Sequence, residues 1–139
     1  MAVYTGEINL STPGEIQVID ITSEVSKNVK KSGLKNGIAC VFVPGATGAI
    51  TTIEYEDGLV SDIKTALQRL FPKNLDYKHE LRWHDGNGHS HIRASFLGPS
   101  LSVPFRNSKL ILGTWQQIIF LELDNKSHNR NIIVQIVGD

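Results

Sequence analysis

The sequence predicts an α+β fold with mostly antiparallel strands, and three observations carry that expectation. Strand-like and helix-like segments come in blocks, in the order ββαββα(α)βββ, and not in strict alternation. Two segments carry apolar residues at the three- and four-residue spacing of a helix face. Several short segments are rich in β-branched residues and bounded by Gly, Pro, Asn or Asp. Within 139 residues there is no internal repeat and no linker, so a single domain over 1–139 is expected.

Val3 to Leu10 alternates weakly and runs into the turn cluster "STPGE". Glu15 to Ile19 is the next short strand, so the two read as a hairpin. Asp20 opens "DITSEVSKNVKKSG", in which Ile21, Val25 and Val29 recur every four residues. Asp20 or Thr22 can cap this helix, Lys30 and Lys31 suit its last turn, and Gly33 can end it. "GIACVFVP", Gly37 to Pro44, is a continuous apolar run and reads as a strand buried on both faces. "GATGA" is a tight loop, and "ITTIEYE", Ile50 to Glu56, is another strand. Val60, Ile63, Leu67 and Leu70 mark an amphipathic helix that Pro72 stops. Asn74 to Ser90 is a polar excursion, longer than a bare connection needs. "HIRASFLG" reads as two helical turns with Ser90 as cap, since Ala94, Phe96 and Leu97 do not alternate with polar residues; a short strand is the alternative. "SLSVPF", "WQQIIFLELD" and "NIIVQIVG" complete the strands.

Composition narrows the function classes. Lys plus Arg and Asp plus Glu each total 14, so the formal net charge is zero. That balance argues against a general nucleic-acid or anionic-membrane binder, either of which needs a basic excess. Cys40, the only cysteine, sits in "IACVFV", where a buried inert thiol is expected. The start, "MAVYTGEINL", lacks the charged and apolar regions of a signal peptide. "NKS" at Asn125 is then a chance sequon, and a soluble, cytoplasmic domain is expected.

Four stretches carry groups that can do chemistry. "HDGNGHSHIR", His84 to Arg93, holds three of the five histidines. His89 and His91 would face the same way on a strand but not on a helix. A solvated histidine-bearing loop is the bland alternative to a metal or acid–base site there. "PGATG" supplies two glycines that let backbone approach a ligand, or a plain tight turn. Glu54 and Glu56 alternate with Tyr55 and share a side, as a cation or acid–base pair or as a solvated face. Trp115, Gln116 and Gln117 lie at a bend into a strand, and Arg130 can clamp a phosphate or sit in solvent.

"LGTWQQIIFLELD", "SHIRASFLGPSLSVPF" and "VFVPGATGAITTIEYE" together resemble the YjbQ family, also known as secondary thiamine-phosphate synthase. The resemblance runs over nearly the whole chain in the right order. It implies a seven-stranded, mostly antiparallel β-sandwich with two main helices, and a homotrimer. It implies an activity that joins hydroxymethylpyrimidine diphosphate to a thiazole phosphate, with a small phosphorylated molecule as partner; the neutral charge and the lack of a long apolar segment predict neither a nucleic-acid nor a membrane partner. A divalent metal, Mg or Zn, is the implied cofactor. By that resemblance His91, His89 and Glu54 are catalytic candidates, and His84, His89 and His91 are metal candidates. Gly45, Thr47, Asn87, Ser100, Gln116 and Arg130 are substrate-binding candidates. The chain departs from the family at Gly45, where many relatives carry histidine after the proline. Two further classes stay open: a non-catalytic trimeric binding protein for a phosphorylated metabolite or metal, and a metal-dependent phosphohydrolase.

Overall fold

The computed structural model describes residues 1–139. The strands are β1 (Ala2–Thr12), β2 (Gln17–Asp20), β3 (Gly37–Phe42), β4 (Gly48–Ile53), β5 (Ser100–Arg106), β6 (Lys109–Leu110), β7 (Gln117–Glu122) and β8 (His128–Gly138). The helices are α1 (Thr22–Ser32), α2 (Asp57–Leu70), α3 (Glu80–Trp83) and α4 (Gly88–Leu97). One sheet has the order β1-β8-β3-β5-β6 and the other β2-β7-β4. Every strand pair is antiparallel, which bears out the α+β expectation. The eighth strand, beyond the seven expected, is β6, which has two residues. No helix is long and apolar enough to cross a membrane.

The expected hairpin of the first two strands does not form. β1 pairs with β8 from Ala2↔Gly138 to Thr12↔His128, while β2 crosses to the other sheet and pairs with β7. Glu15 N donates to Asp124 O at 2.7 Å, which ties the "STPGE" turn to the end of β7 instead.

Two apolar layers follow from alternation along the strands. Ile8, Val41, Phe105, Ile132, Val134 and Ile136 line the inner face of the five-stranded sheet. Ile50, Ile118 and Phe120 meet them from the three-stranded sheet, with Val25 and Val29 of α1 and the preceding Ile21 in the same cluster. On the other face of the three-stranded sheet, Val18, Ala49, Ile119 and Leu121 pack with Leu67 of α2 and Ala94 of α4. β7 is therefore the strand covered on both sides. The sequence expectation had placed that role on "GIACVFVP". In β3 only alternate residues are buried, and Ile38 and Phe42 on the outward face are 53% and 42% exposed. No layer of this chain covers that face.

Local signals explain the helix ends. Asp20 Oδ1 accepts from Thr22 N at 2.9 Å at the start of α1, and Gly33 ends it in the left-handed conformation at φ 73°. Glu56 caps α2 by accepting from Leu59 N at 2.6 Å and Gly58 N at 2.8 Å. "HIRASFLG" is helical as expected, in α4, which starts at Gly88. Its preceding residue, Asn87, caps nothing with its side chain because that side chain is engaged elsewhere.

Ile119 lies on the helix-facing side of the doubly covered strand. Ile119→Ala should cost about 2–5 kcal/mol, since a middle layer cannot collapse into the gap. Urea denaturation reads this, and a loss below about 1 kcal/mol would contradict the layer assignment.

Candidate functional site

Four strand ends meet at one edge of the sandwich. β1 ends at Thr12 opposite His128, where β8 begins, and β4 begins at Gly48 opposite Glu122, where β7 ends. Glu122, Asp124, Arg130, Thr12 and Thr47 are all buried there. Arg130 grips Glu122 with two nitrogens, Nε to Oε1 at 2.8 Å and Nη2 to Oε2 at 2.5 Å. Thr12 Oγ1 also donates to Glu122 Oε1, at 2.5 Å, and Arg130 Nη2 donates to Thr47 Oγ1 at 2.9 Å. Asp124 accepts from Thr47 Oγ1 at 3.1 Å, from His128 Nε2 at 2.6 Å and from Asn87 Nδ2 at 3.2 Å.

Burial pushes both carboxyls up, but their partners outweigh it. The Arg130 and Thr12 hydrogen bonds, with the Arg130 charge, hold Glu122 below the ordinary carboxylate range. The hydrogen bonds from His128, Asn87, Asn125 N–H and Thr47 do the same for Asp124. A second cluster lies under α4. His89, 1% exposed, donates from Nε2 to Glu15 Oε2 at 2.6 Å, and Lys73 Nζ lies 2.7 Å from Glu15 Oε1. Burial raises the Glu15 carboxyl, and the hydrogen bonds from Lys73 and His89 more than offset it. Arg93, also buried, donates from Nη2 to Gln68 Oε1 at 2.8 Å and to Phe71 O at 2.9 Å. Burial lowers its guanidinium pKa despite the nearby Glu15 charge.

His91 and the glycine loop do come together. A cleft of about 190 Å³ is lined by Gly45, Ala46 and Gly48 on one side and by His91, Ala94 and Ser95 on the other. Gly45 adopts φ +110°, and a Cβ built on it would lie 3.2 Å from Arg130 Nη1. That Nη1 makes no hydrogen bond within the chain, whereas Nε and Nη2 are committed to Glu122 and Thr47. A glycine here avoids that close contact, and Arg130 stays buried behind the loop.

The other sequence-predicted residues are dispersed. His89 faces Glu15 and not the cleft, as a helical His89–His91 pair requires. His84 is exposed at a left-handed position, φ 54°, after α3. His84, His89 and His91 do not form a set of converging ligand atoms. Thr47 and Asn87 belong to the buried network. Glu54 is exposed beyond the far end of β4, about 20 Å of strand from Gly48. Gln116 lies at that far end too, beside a cleft of about 260 Å³ with Thr52, Ser102 and Ile111. Ser100 is exposed at the start of β5.

Sequence reasoning missed Glu122, Asp124, His79 and Glu15. One signal was present for the first two. "IIFLELD" places two carboxylates two residues apart in an apolar run, hence on one buried face that must supply partners. His79 lies outside the histidine cluster and had none.

The fold and site define a small two-sheet α+β protein with a histidine and glycine-loop cleft set against a buried ion-pair network. A family model described as UPF0047 protein YjbQ-like matches residues 6–139. The UPF0047 protein of Methanothermobacter thermautotrophicus is 44% identical over 138 residues, covering 99% of this chain and 94% of that one. YugU of Bacillus subtilis is 34% identical over 132 residues, covering 94% and 97%. A crystal structure of a YbjQ-like protein of unknown function from Sulfolobus solfataricus matches with TM-score 0.94 at 41% identity, covering 99% of both chains. An uncharacterised conserved protein of the YjbQ/UPF0047 family from Clostridium acetobutylicum matches with TM-score 0.86 at 42% identity, over 94% of this chain and 98% of that one. The chain belongs to the YjbQ-like UPF0047 family.

Glu122, Asp124 and Glu15 all titrate below their ordinary values of 4.5, 3.8 and 4.5 when folded. Their stabilisation is complete above those values and is lost as pH falls through the lower folded ones. The melting temperature should therefore hold down to about pH 5 and drop steeply below about pH 4. Glu122→Gln should cost about 3–5 kcal/mol at neutral pH, because it strands a buried Arg130, and should flatten the acid limb. Thermal melts across a pH series test this; a wild-type acid limb in the variant would contradict it.

Proposed function

We propose that the chain is a transferase of the thiamine-phosphate synthase type, working as a homotrimer in the cytoplasm. The observation that supports this most is the cleft in which His91 faces the Gly45–Gly48 loop with Arg130 Nη1 behind it. Those groups suit a phosphorylated ligand: a cationic tip, an imidazole and a loop open to close backbone approach. In the reaction, the bond between the pyrimidine methylene carbon and the diphosphate oxygen breaks. Diphosphate leaves with the electron pair, and the thiazole nitrogen bonds to that carbon. His91 and Arg130 would stabilise the departing diphosphate, and a divalent metal would neutralise it further.

The trimer reading rests on two features. Glu54 and Gln116 lie away from the His91 cleft, so one chain does not join the candidate residues. Val3, Ile38 and Phe42 are exposed on the outer sheet face, an apolar surface that another copy can cover. Subunits packed head to tail around a threefold axis would set Glu54 of one beside His91 of the next. A binding role without turnover is favoured by one observation: with glycine at 45, His91 is the only titratable side chain lining the cleft.

Turnover of hydroxymethylpyrimidine diphosphate with thiazole phosphate is the test. His91→Ala should lower the rate at least about 100-fold. Light scattering should give a trimer mass. Mixing inactive His91→Ala and Glu54→Gln chains should restore activity, since hybrid trimers contain an intact shared site. No turnover, but saturable binding of a phosphorylated pyrimidine that His91→Ala abolishes, would replace the transferase with a binding protein. Phosphate release without the thiazole would indicate a phosphohydrolase instead.

A further inference from the structure

We propose that the chain holds a divalent transition-metal ion on His79, Glu80 and Asp85, with the side-chain oxygen of Asn87 completing the donor set. The ligand atoms of His79, Glu80 and Asp85 all lie within 4.8 Å of one another. His79 Nε2 is 3.3 Å from Asp85 Oδ1 and 3.0 Å from Asn87 Oδ1. One ring nitrogen carries at most one hydrogen, so two oxygen acceptors compete for it. A shared metal removes the competition. With metal–ligand distances of about 2.1 Å, neighbouring donors sit roughly 3.0–3.4 Å apart in octahedral or tetrahedral geometry. The two observed spacings fall in that range.

Asn87 supplies independent support. It is 4% exposed, and its Nδ2 donates to Asp124 Oδ1 at 3.2 Å. That bond fixes the amide so that Oδ1 faces His79. Turning the amide over would put Oδ1 against the carboxylate. Asp124 is itself held by Thr47, His128 and Asn125 N–H. A buried network that orients an outward oxygen donor is how metal sites hold their ligands in place. Glu80 orders the opposite side: its carboxylate accepts the N–H of Gly86 and, at 2.9 Å, of Gly88, which folds Asp85 and Asn87 back over His79. A Cβ on Gly88 would come 2.5 Å from Tyr77 Cβ, so the same turn packs against the segment that carries His79.

Imidazole with carboxylate and amide oxygens favours a zinc-like ion over magnesium, whose sites use oxygen donors and retained water. His91 is not part of this set. Its ring centroid lies 4.5 Å from that of His79, and it lines the cleft. The metal would thus stand behind His91, supporting the side chain that faces a ligand. This assignment does not depend on the transferase reading, because metal binding is measured directly.

The experiment uses full-length protein without a histidine tag, stripped with chelator. It is titrated with Zn²⁺ by calorimetry, and the metal retained after desalting is counted by mass spectrometry. Wild type should hold one zinc per chain. His79→Ala and Asp85→Asn should each weaken binding at least about 10-fold. Asp85 is exposed, so Asp85→Asn keeps the test valid if His79→Ala misfolds. His84→Ala and His91→Ala should bind zinc like wild type. A wild type that binds no zinc overturns the proposal, as does wild-type affinity in Asp85→Asn or loss of binding in His84→Ala. Zinc binding without any transfer activity would sink the transferase alone.

Discussion

Glu122 is a carboxylate with no access to solvent, and the histidine-bearing end of the molecule is organised around answering it. Removing one charge from water costs several kcal/mol, and attraction offsets that only with good geometry and every lone pair engaged. Arg130 supplies the fork, Thr12 a hydroxyl and Asp124 its backbone N–H. These partners come from β1, β8 and the turn after β7, so they tie Glu122 of the three-stranded sheet to the five-stranded one. Asp124 then passes the order outward through Asn87 to His79. The position of the surface groups is thus set by a charge pair in the interior.

The five histidines show how little residue type alone decides. His89 is buried against Glu15 under α4, and His128 is tied to Asp124 at the start of β8. His84 serves a turn in solvent. Only His91 and His79 are both partly open and in contact with each other. Spacing in the chain grouped His84, His89 and His91, but helix α4 points His89 and His91 to different sides, and the short α3 brings His79 back from outside the cluster.

Long periodic elements were legible from local pattern: both stripes of apolar residues became α1 and α2, and the last two strands formed as read. What escaped was partnership. Nothing in "GIACVFVP" says that one face will lack a covering layer, and nothing in "QQIIFLE" says that it will lie between two. The hairpin failed for the same reason, since β1 has an eleven-residue match with β8 and the four-residue β2 has a match with β7. Within the cleft, His91 and the glycine loop were legible because each has distinctive chemistry. The Glu122–Arg130 pair was not, because its members are eight residues apart on different strands and look like ordinary surface charge.

β8, the last strand of the domain, lies between β1 and β3, inside its sheet and not at an edge. A chain emerging from the ribosome can form α1, α2 and the β3–β5 pair early. Its first strand, however, has no neighbour in the large sheet until residues 128–138 are out. Closing that sheet spans nearly the full chain, and such long-range pairing is slow compared with local helix formation. Until then the inner apolar face of β1 stays exposed, which is the state in which chains of this type associate wrongly. The same strand that carries Arg130 into the buried pair therefore makes closure of the large sheet wait for residues 128–138.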